Sequence, residues 1–219
     1  MPTECETART GDFAYVVDDE VAVRHSLELL LGAEGYRVRS FASGESLLEA
    51  APALPFGCVL LDLRMPGLDG LAVQRLLSGQ RLPHPVVLVT AHGEVPLAVE
   101  AMKAGAADFI EKPFTAEEIL RAVAGALDRG RAARDEAVEA TQAVARVATL
   151  SPREAEVLLG LVGGRQNKVI ANDLGISPRT VEIHRGNLMT KLGARSLPEA
   201  VRLALAAGIR PADGDGARR

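Results

Sequence analysis

Five short β-rich runs, most of them apolar, punctuate residues 12 to 130, and a helical pattern follows each one. The runs lie at 13–18 (FAYVVD), 36–41 (YRVRSF), 57–62 (GCVLLD), 85–90 (PVVLVT) and 107–111 (ADFIE). The helical stretches are 20–33, 44–50, 70–78 and 94–104, and a fifth opens at Thr115, which forms a capping-box pattern with Glu118. Strands that alternate with helices are joined by crossovers, so they build a parallel sheet. Nearly continuous apolar runs fit strands covered on both faces. The expected fold is an α/β, doubly wound, five-stranded parallel sheet.

Open sheets of this kind place their functional crevice outside the carboxyl ends of the strands. Those ends carry chemistry. The first run ends in Asp18 and Asp19, the third in Asp62, the fourth in Thr90, and the fifth runs into Lys112. A charge at the edge of a core must be solvated, paired or metal-bound. Three convergent carboxylates repel one another. A hard divalent cation relieves that repulsion, and Mg²⁺ suits one or two carboxylates with waters and a phosphate. Lys112 can hold an anion as a point charge, Thr90 offers a hydroxyl, and the small Ala91 leaves its backbone N–H accessible. These are parts for phosphoryl transfer with a carboxylate nucleophile. Read singly they are weaker: Asp18 or Asp19 could cap a helix, Asp69–Gly70 reads as turn and cap, Phe109 as core, and His25 and His84 as surface or loop residues.

Charge divides the chain. Residues 1–149 carry 14 Lys+Arg against 22 Asp+Glu, and residues 150–219 carry 11 against 7. An acidic part joined to a basic part points to nucleic acid on the basic side. No apolar run approaches the roughly 20 residues of a membrane span, and the N-terminus lacks a signal-peptide pattern. Cys5 and Cys58 make no disulfide framework and read as reduced thiols in a cytosolic protein.

Residues 1–11 and 209–219 read as disordered tails. Residues 129–149 are rich in Ala, Arg and acids and read as a partly helical linker, with Gly130 arguing against one continuous helix. Residues 150–208 are helical throughout in pattern. They show a capping box at SPRE (151–154) and an N-cap at Ser177.

The combination VVDDE, LLDLRMPGLDG, VLVTAHG and ADFIEKPF resembles the receiver domain of two-component response regulators, over residues 12–128. The resemblance implies a flavodoxin-like receiver in which Asp62 accepts a phosphoryl group from a sensor histidine kinase. It implies Mg²⁺ held by Asp18, Asp19, Asp62 and the backbone carbonyl of Arg64, with Thr90 and Lys112 on the phosphoryl oxygens. Phe109 matches a switch aromatic, and Pro113 a position that commonly follows a cis bond. Arg64 and His92 become candidates for tuning loss of the phosphoryl group.

The stretch NKVIANDLGISPRTVEIHRGNLMTKLG resembles the small all-α helix-turn-helix output domain of the LuxR class. This implies double-stranded promoter DNA as a partner. Phosphate contacts fall to Lys168, Arg179, Thr180, Arg185 and Lys191, and base edges to Glu182, Ile183 and Gly186. Gly186 has no side chain to offer, and Gln166 stands where a small hydroxyl residue is common. The pairing looks most like the FixJ-type subgroup: a cytoplasmic, phosphorylation-dependent transcription regulator that is not an enzyme. Homodimerisation through residues 94–125 and contact with RNA polymerase follow from that likeness, and no membrane is involved. Two other readings stay open: a scaffold whose helical domain binds protein, and an Asp-nucleophile phosphohydrolase, whose DxDxT motif is absent here.

Overall fold

A computed structural model describes residues 11–80, 82–90 and 95–210, apart from the side chains of Val95 and Ala98. Nearly all of both expected tails lies outside these residues, as does Cys5. The chain forms two compact units, Met1–Ala133 and Arg134–Arg219.

The first unit holds strands β1 (Phe13–Val17), β2 (Arg37–Phe41), β3 (Gly57–Asp62), β4 (Val86–Thr90) and β5 (Asp108–Glu111). Between them run helices α1 (Val21–Ala33), α2 (Gly44–Ala50), α3 (Gly70–Gly79) and α4 (Val95–Lys103). All strand pairs are parallel, in the order β2-β1-β3-β4-β5. Successive strand side chains alternate between faces, and the core divides accordingly. Tyr15, Val17, Val59, Leu61, Val86 and Leu88 pack with Leu47 of α2 and Val73 and Leu77 of α3. Ala14, Val16, Cys58, Leu60, Val87 and Val89 pack on the other face with Leu27 and Leu31 of α1 and Ile119, Val123 and Leu127. This two-sided burial is why the runs read as continuously apolar rather than alternating.

Helix α5 spans Ala116–Val147 without a break, through Gly130. Gly130 therefore does not interrupt the helix as the sequence suggested. A side chain there would sit 3.0 Å from Phe56 Cζ and from Pro85 Cγ, so the glycine serves close packing. The expected capping box at the start of α5 is formed: Thr115 N donates to Glu118 Oε2 at 2.7 Å, and Glu118 N donates to Thr115 Oγ1 at 3.3 Å. His84 departs from its expected surface position. It is buried, edge-on to Tyr15 at 5.6 Å, with its ring nitrogens near Gly57 O and Ala51 O.

The second unit holds the end of α5 and helices α6 (Pro152–Val162), α7 (Asn167–Leu174), α8 (Pro178–Leu192) and α9 (Leu197–Ala206). Its core is Val157, Leu158, Leu161, Ile170, Val181, Leu188, Leu192, Ala200 and Ala204. Gly160 is required where α6 meets α7, because a Cβ would lie 2.8 Å from Ile170 Cγ1. Gly175 ends α7 in the left-handed conformation (φ +66°) and frees the chain to turn into α8. The α6 cap does more than start a helix. Glu154 Oε2 accepts from Ser151 N at 2.7 Å and from Lys191 Nζ at 2.6 Å, tying α6 to the end of α8. The Lys191 bond, with that from the Ser151 amide, holds the Glu154 carboxyl down at about 2.

Among these caps α7 is the weak one. Gln166 takes the N-cap position with extended backbone (φ −72°, ψ 152°) but makes no side-chain cap bond. Gln166→Ser should therefore stabilise the second unit by about 0.5–1 kcal/mol, read as a rise in its thermal or denaturant midpoint.

Candidate phosphoacceptor site and nucleic-acid interface

Strand order places the first site. The chain reverses direction of assembly between β1 and β3, the switch point where such sheets open a crevice. Val17 pairs with Leu61 there, so the next residues, Asp18 and Asp62, stand side by side. Both are buried, 3% and 7% exposed. Lys112 Nζ donates to both, at 3.0 Å to Asp18 Oδ2 and 2.7 Å to Asp62 Oδ1. The remaining oxygens are also occupied: Asp18 Oδ1 accepts from Glu20 N and Asp62 Oδ2 from Arg64 N, each at 2.8 Å.

Backbone contacts hold these groups in place. Lys112 N donates to Thr90 O at 2.7 Å, which fixes the end of β5 against β4 and sets the lysine above the crevice. Arg24 Nη1 donates to Asp18 O and Asp19 O, pinning the turn after β1. Gly70 N donates to Leu63 O, and a Cβ at Gly70 would meet Asp62 O at 2.4 Å, so the loop after Asp62 folds back against its own strand. Asp69 caps α3 through Ala72 N at 2.7 Å, as its turn pattern suggested. Glu45 Oε1 accepts from Leu68 N and anchors the same loop from α2.

Burial raises the Asp62 pKa above the ordinary carboxylate value, and Asp18 adds to the rise. The Lys112 bond and the Arg64 amide offset only part of it. Burial works against the Lys112 charge, yet the bonds to Asp62 and Asp18 outweigh it and raise the lysine pKa. The ion pair thus keeps the ammonium firmly charged while leaving a carboxylate whose negative charge is costly.

The structure brings Asp18, Asp62 and Lys112 into contact, with buried Thr90 at the neighbouring strand end. Asp19 does not join them. Its side chain is exposed, and no group of three or more metal-ligating side chains converges among the described residues. The expected three-carboxylate pocket is here a buried pair, with Asp19 exposed in the bend that follows β1. Two buried carboxylates remain a hard-oxygen donor set that fits Mg²⁺. The Lys112–Pro113 bond is cis. Phe109 is 42% exposed on edge strand β5 rather than in the core. Arg64 is exposed beside the site, whereas Ala91 and His92 lie outside the described residues. Buried Cys58 is no second nucleophile, since burial pushes its thiol up to about 12.

The second site is the outer face of α8. Val181, Leu188 and Leu192 turn inward, and Arg179, Glu182, Ile183 and Gly186 are exposed. Lys168 is exposed on α7. Three expected phosphate ligands are placed otherwise. Lys191 is paired with Glu154. Thr180 Oγ1 shares a hydrogen bond with Ser177 Oγ at 2.8 Å, within the N-cap. Arg185 lies half-buried on a flank: at roughly 100° per residue it falls beside Val181 and not opposite it. Asn187 and Thr190 are also exposed on this face. Extending the exposed strip around the helix by that period locates both.

A receiver sheet with a paired-acid crevice, followed by a helix-turn-helix unit, defines a response regulator that acts on transcription. Residues 14–124 match the response regulator receiver domain, and residues 148–204 match the bacterial regulatory proteins of the luxR family. The chain belongs to the FixJ-type response regulators of two-component systems. It is 50% identical over 201 residues to the transcriptional regulatory protein FixJ of Bradyrhizobium diazoefficiens, covering 91% of this chain and 98% of that one. It is 47% identical over 197 residues to FixJ of Rhizobium meliloti, covering 90% and 97%. Among solved structures, full-length FixJ from B. japonicum is similar with a TM-score of 0.58 at 47% identity, covering 91% of this chain and 98% of that one. The response regulator StyR gives a TM-score of 0.73 at 38% identity, covering 90% and 98%.

The electrostatics yield a test. A carboxyl whose folded pKa is raised favours folding below its unfolded pKa and loses that contribution as pH rises through the folded value. In metal-free buffer at neutral pH, Asp62→Asn should therefore raise the thermal midpoint above wild type. The advantage should vanish as pH falls below the ordinary aspartate range, about 4. An unchanged or lower midpoint at pH 7 would show that the Lys112 pair already offsets the buried charge.

Proposed function

We propose that Asp62 is the phosphoacceptor and that its phosphorylation by a sensor histidine kinase promotes dimerisation and sequence-specific DNA binding. The observation that carries the reading is the contact of Lys112 Nζ with both buried carboxylates at the strand switch point. Asp18 and Asp62 would hold Mg²⁺ with the backbone carbonyl of Arg64, and exposed Asp19 would turn in from solvent to join them. When bound, the ion neutralises oxygens of the donor phosphate. The chain's own residues do the rest. Asp62 supplies the attacking oxygen, the phosphorus–nitrogen bond to the kinase's histidine breaks to release the imidazole, and the Arg64 amide orients the Asp62 carboxylate. Lys112 transfers a contact from carboxylate to phosphoryl oxygen. Thr90 offers its hydroxyl to the same group.

Thr90 and Lys112 are linked through the backbone, and Phe109 lies three residues before Lys112 on β5. A shift of Thr90 toward a phosphoryl group lets Phe109 leave the surface. Exposed Val99 and Met102 on α4 and Phe109 on β5 supply the apolar part of a dimer face over residues 94–125. Acceptance of one phosphoryl group makes the chain a switch rather than a turnover enzyme. Among the described residues no helix is long and apolar enough to cross a membrane. RNA polymerase would be the natural further partner of a promoter-bound regulator. In the second unit, Arg179 and Lys168 would contact phosphates, and Arg185 would reach them only from the flank of α8. Glu182 and Ile183 would face base edges, with Gly186 admitting close approach.

Light-scattering mass with Mg²⁺, with and without beryllofluoride, tests the switch. The expected result is a monomer that doubles in mass with beryllofluoride, and an Asp62→Asn variant that does not. Unchanged mass in the wild type would overturn the dimerisation step. Gly186→Ala tests the approach to DNA. Nothing lies within 4 Å of a Cβ there, so alanine should stabilise the helix by about 0.5–1 kcal/mol. The same methyl group should weaken specific DNA binding, measured by titration of a cognate duplex. Unchanged affinity would place Gly186 outside the interface.

A further inference from the structure

The exposed strip of α8 has little left for reading bases once each side chain is assigned. Besides Lys191, whose ammonium pairs with Glu154, six residues form it: Arg179, Glu182, Ile183, Gly186, Asn187 and Thr190. Arg179 lies in the first turn and suits phosphate. Glu182 is a carboxylate that accepts hydrogen bonds only and is repelled by phosphates. Thr190 Oγ1 donates back to Gly186 O at 3.1 Å, so its proton is spent within the helix. Gly186 presents bare backbone with open space where a Cβ would be. Asn187 differs from all of these. Its amide both donates and accepts, and among the described residues its side chain makes no hydrogen bond. Ile183 lies one turn before it, i to i+4, and is 57% exposed. The two Cβ atoms of such a pair are about 5–6 Å apart. An apolar side chain held in water beside an unspent amide, with a glycine clearing the space next to both, is a complementary surface for an A·T-rich step.

We propose that Asn187 reads an adenine in the major groove and that Ile183 packs on the methyl of a neighbouring thymine. The amide would donate to adenine N7 and accept from its N6 amino group, the bidentate pairing open to Asn. Gly186 brings the backbone near enough for this short side chain to reach. The proposal rests on α8 being the recognition helix, and it names the base class that helix selects.

Selection of binding sites from random duplexes tests it, using the full-length protein with Mg²⁺ and beryllofluoride. Wild type should select an adenine at a fixed position in each half-site, with a thymine in a neighbouring base pair. Asn187→Ala should lose the adenine preference at that position alone, its discrimination falling roughly 5- to 150-fold. Ile183→Ala should relax only the thymine position. Thermal unfolding of Asn187→Ala should match wild type, since the side chain has no partner to lose. An adenine preference that survives Asn187→Ala overturns the proposal. So does a uniform loss of affinity at all positions with a smaller salt slope, which marks a phosphate contact. If the wild-type chain selects no sequence at all, the recognition-helix reading fails with it. Selection that persists unchanged in the variants rejects Asn187 and Ile183 alone.

Discussion

One ammonium group between two buried carboxylates organises the first unit. Asp18 and Asp62 are adjacent because β1 and β3 are adjacent, and two such charges at a sheet edge repel. Lys112 bridges them from β5, on the far side of β4. The bridge therefore depends on the register of three strand pairs and on the Lys112–Thr90 backbone bond. Removing the lysine would leave buried charge unpaired, at a cost of about 3–5 kcal/mol. The glycine at position 70 and the anchor from Glu45 follow from the same need, since they hold the loop that presents Asp62.

The arrangement stores an imbalance. Two carboxylates face one lysine, and the pair as a whole remains negative. Burial keeps the Asp62 charge costly even with Lys112 bound. A divalent cation held there would offset the excess negative charge, whereas a phosphoryl group on Asp62 would add to it and spread it over more oxygens. The bridging lysine is also placed to follow the change, since it can exchange a carboxylate oxygen for a phosphoryl one without leaving the crevice.

The sheet was legible because its signals are dense. Each buried strand is an apolar run, and the functional residues sit at the run ends, so order along the chain became position in the crevice. Asp69, Thr115, Ser151 and Ser177 announced their caps, each with its partner at a fixed spacing. What failed was whatever depends on contact across the fold. Gly130 looked like a helix breaker because propensity is local, whereas its reason is the approach of Phe56 and Pro85 from elsewhere in the chain. His84 looked like a loop residue, and only the packing of Tyr15 buries it. Asp19 was grouped with Asp18 and Asp62 by proximity in sequence, and here its side chain is exposed in the bend after β1 while theirs are buried. Lys191 read as a phosphate ligand because nothing local marks its partner, which lies 37 residues away in the cap of α6.

That last pairing shapes the second unit's chemistry. A lysine at the end of α8 could have added affinity for any duplex, since phosphate contacts carry little sequence information. Here its charge is spent on Glu154, and Thr180 is spent on the Ser177 cap. Both bonds fix the orientation of α8 against α6 and the turn before it. The outer strip of α8 is left short in uncommitted cations. Discrimination must then come from the few uncommitted groups on that strip, and a glycine among them lets the backbone come close. A recognition helix built this way depends more on fit to particular bases than on charge, so its specific binding should hold up better against rising salt than that of a lysine-rich counterpart.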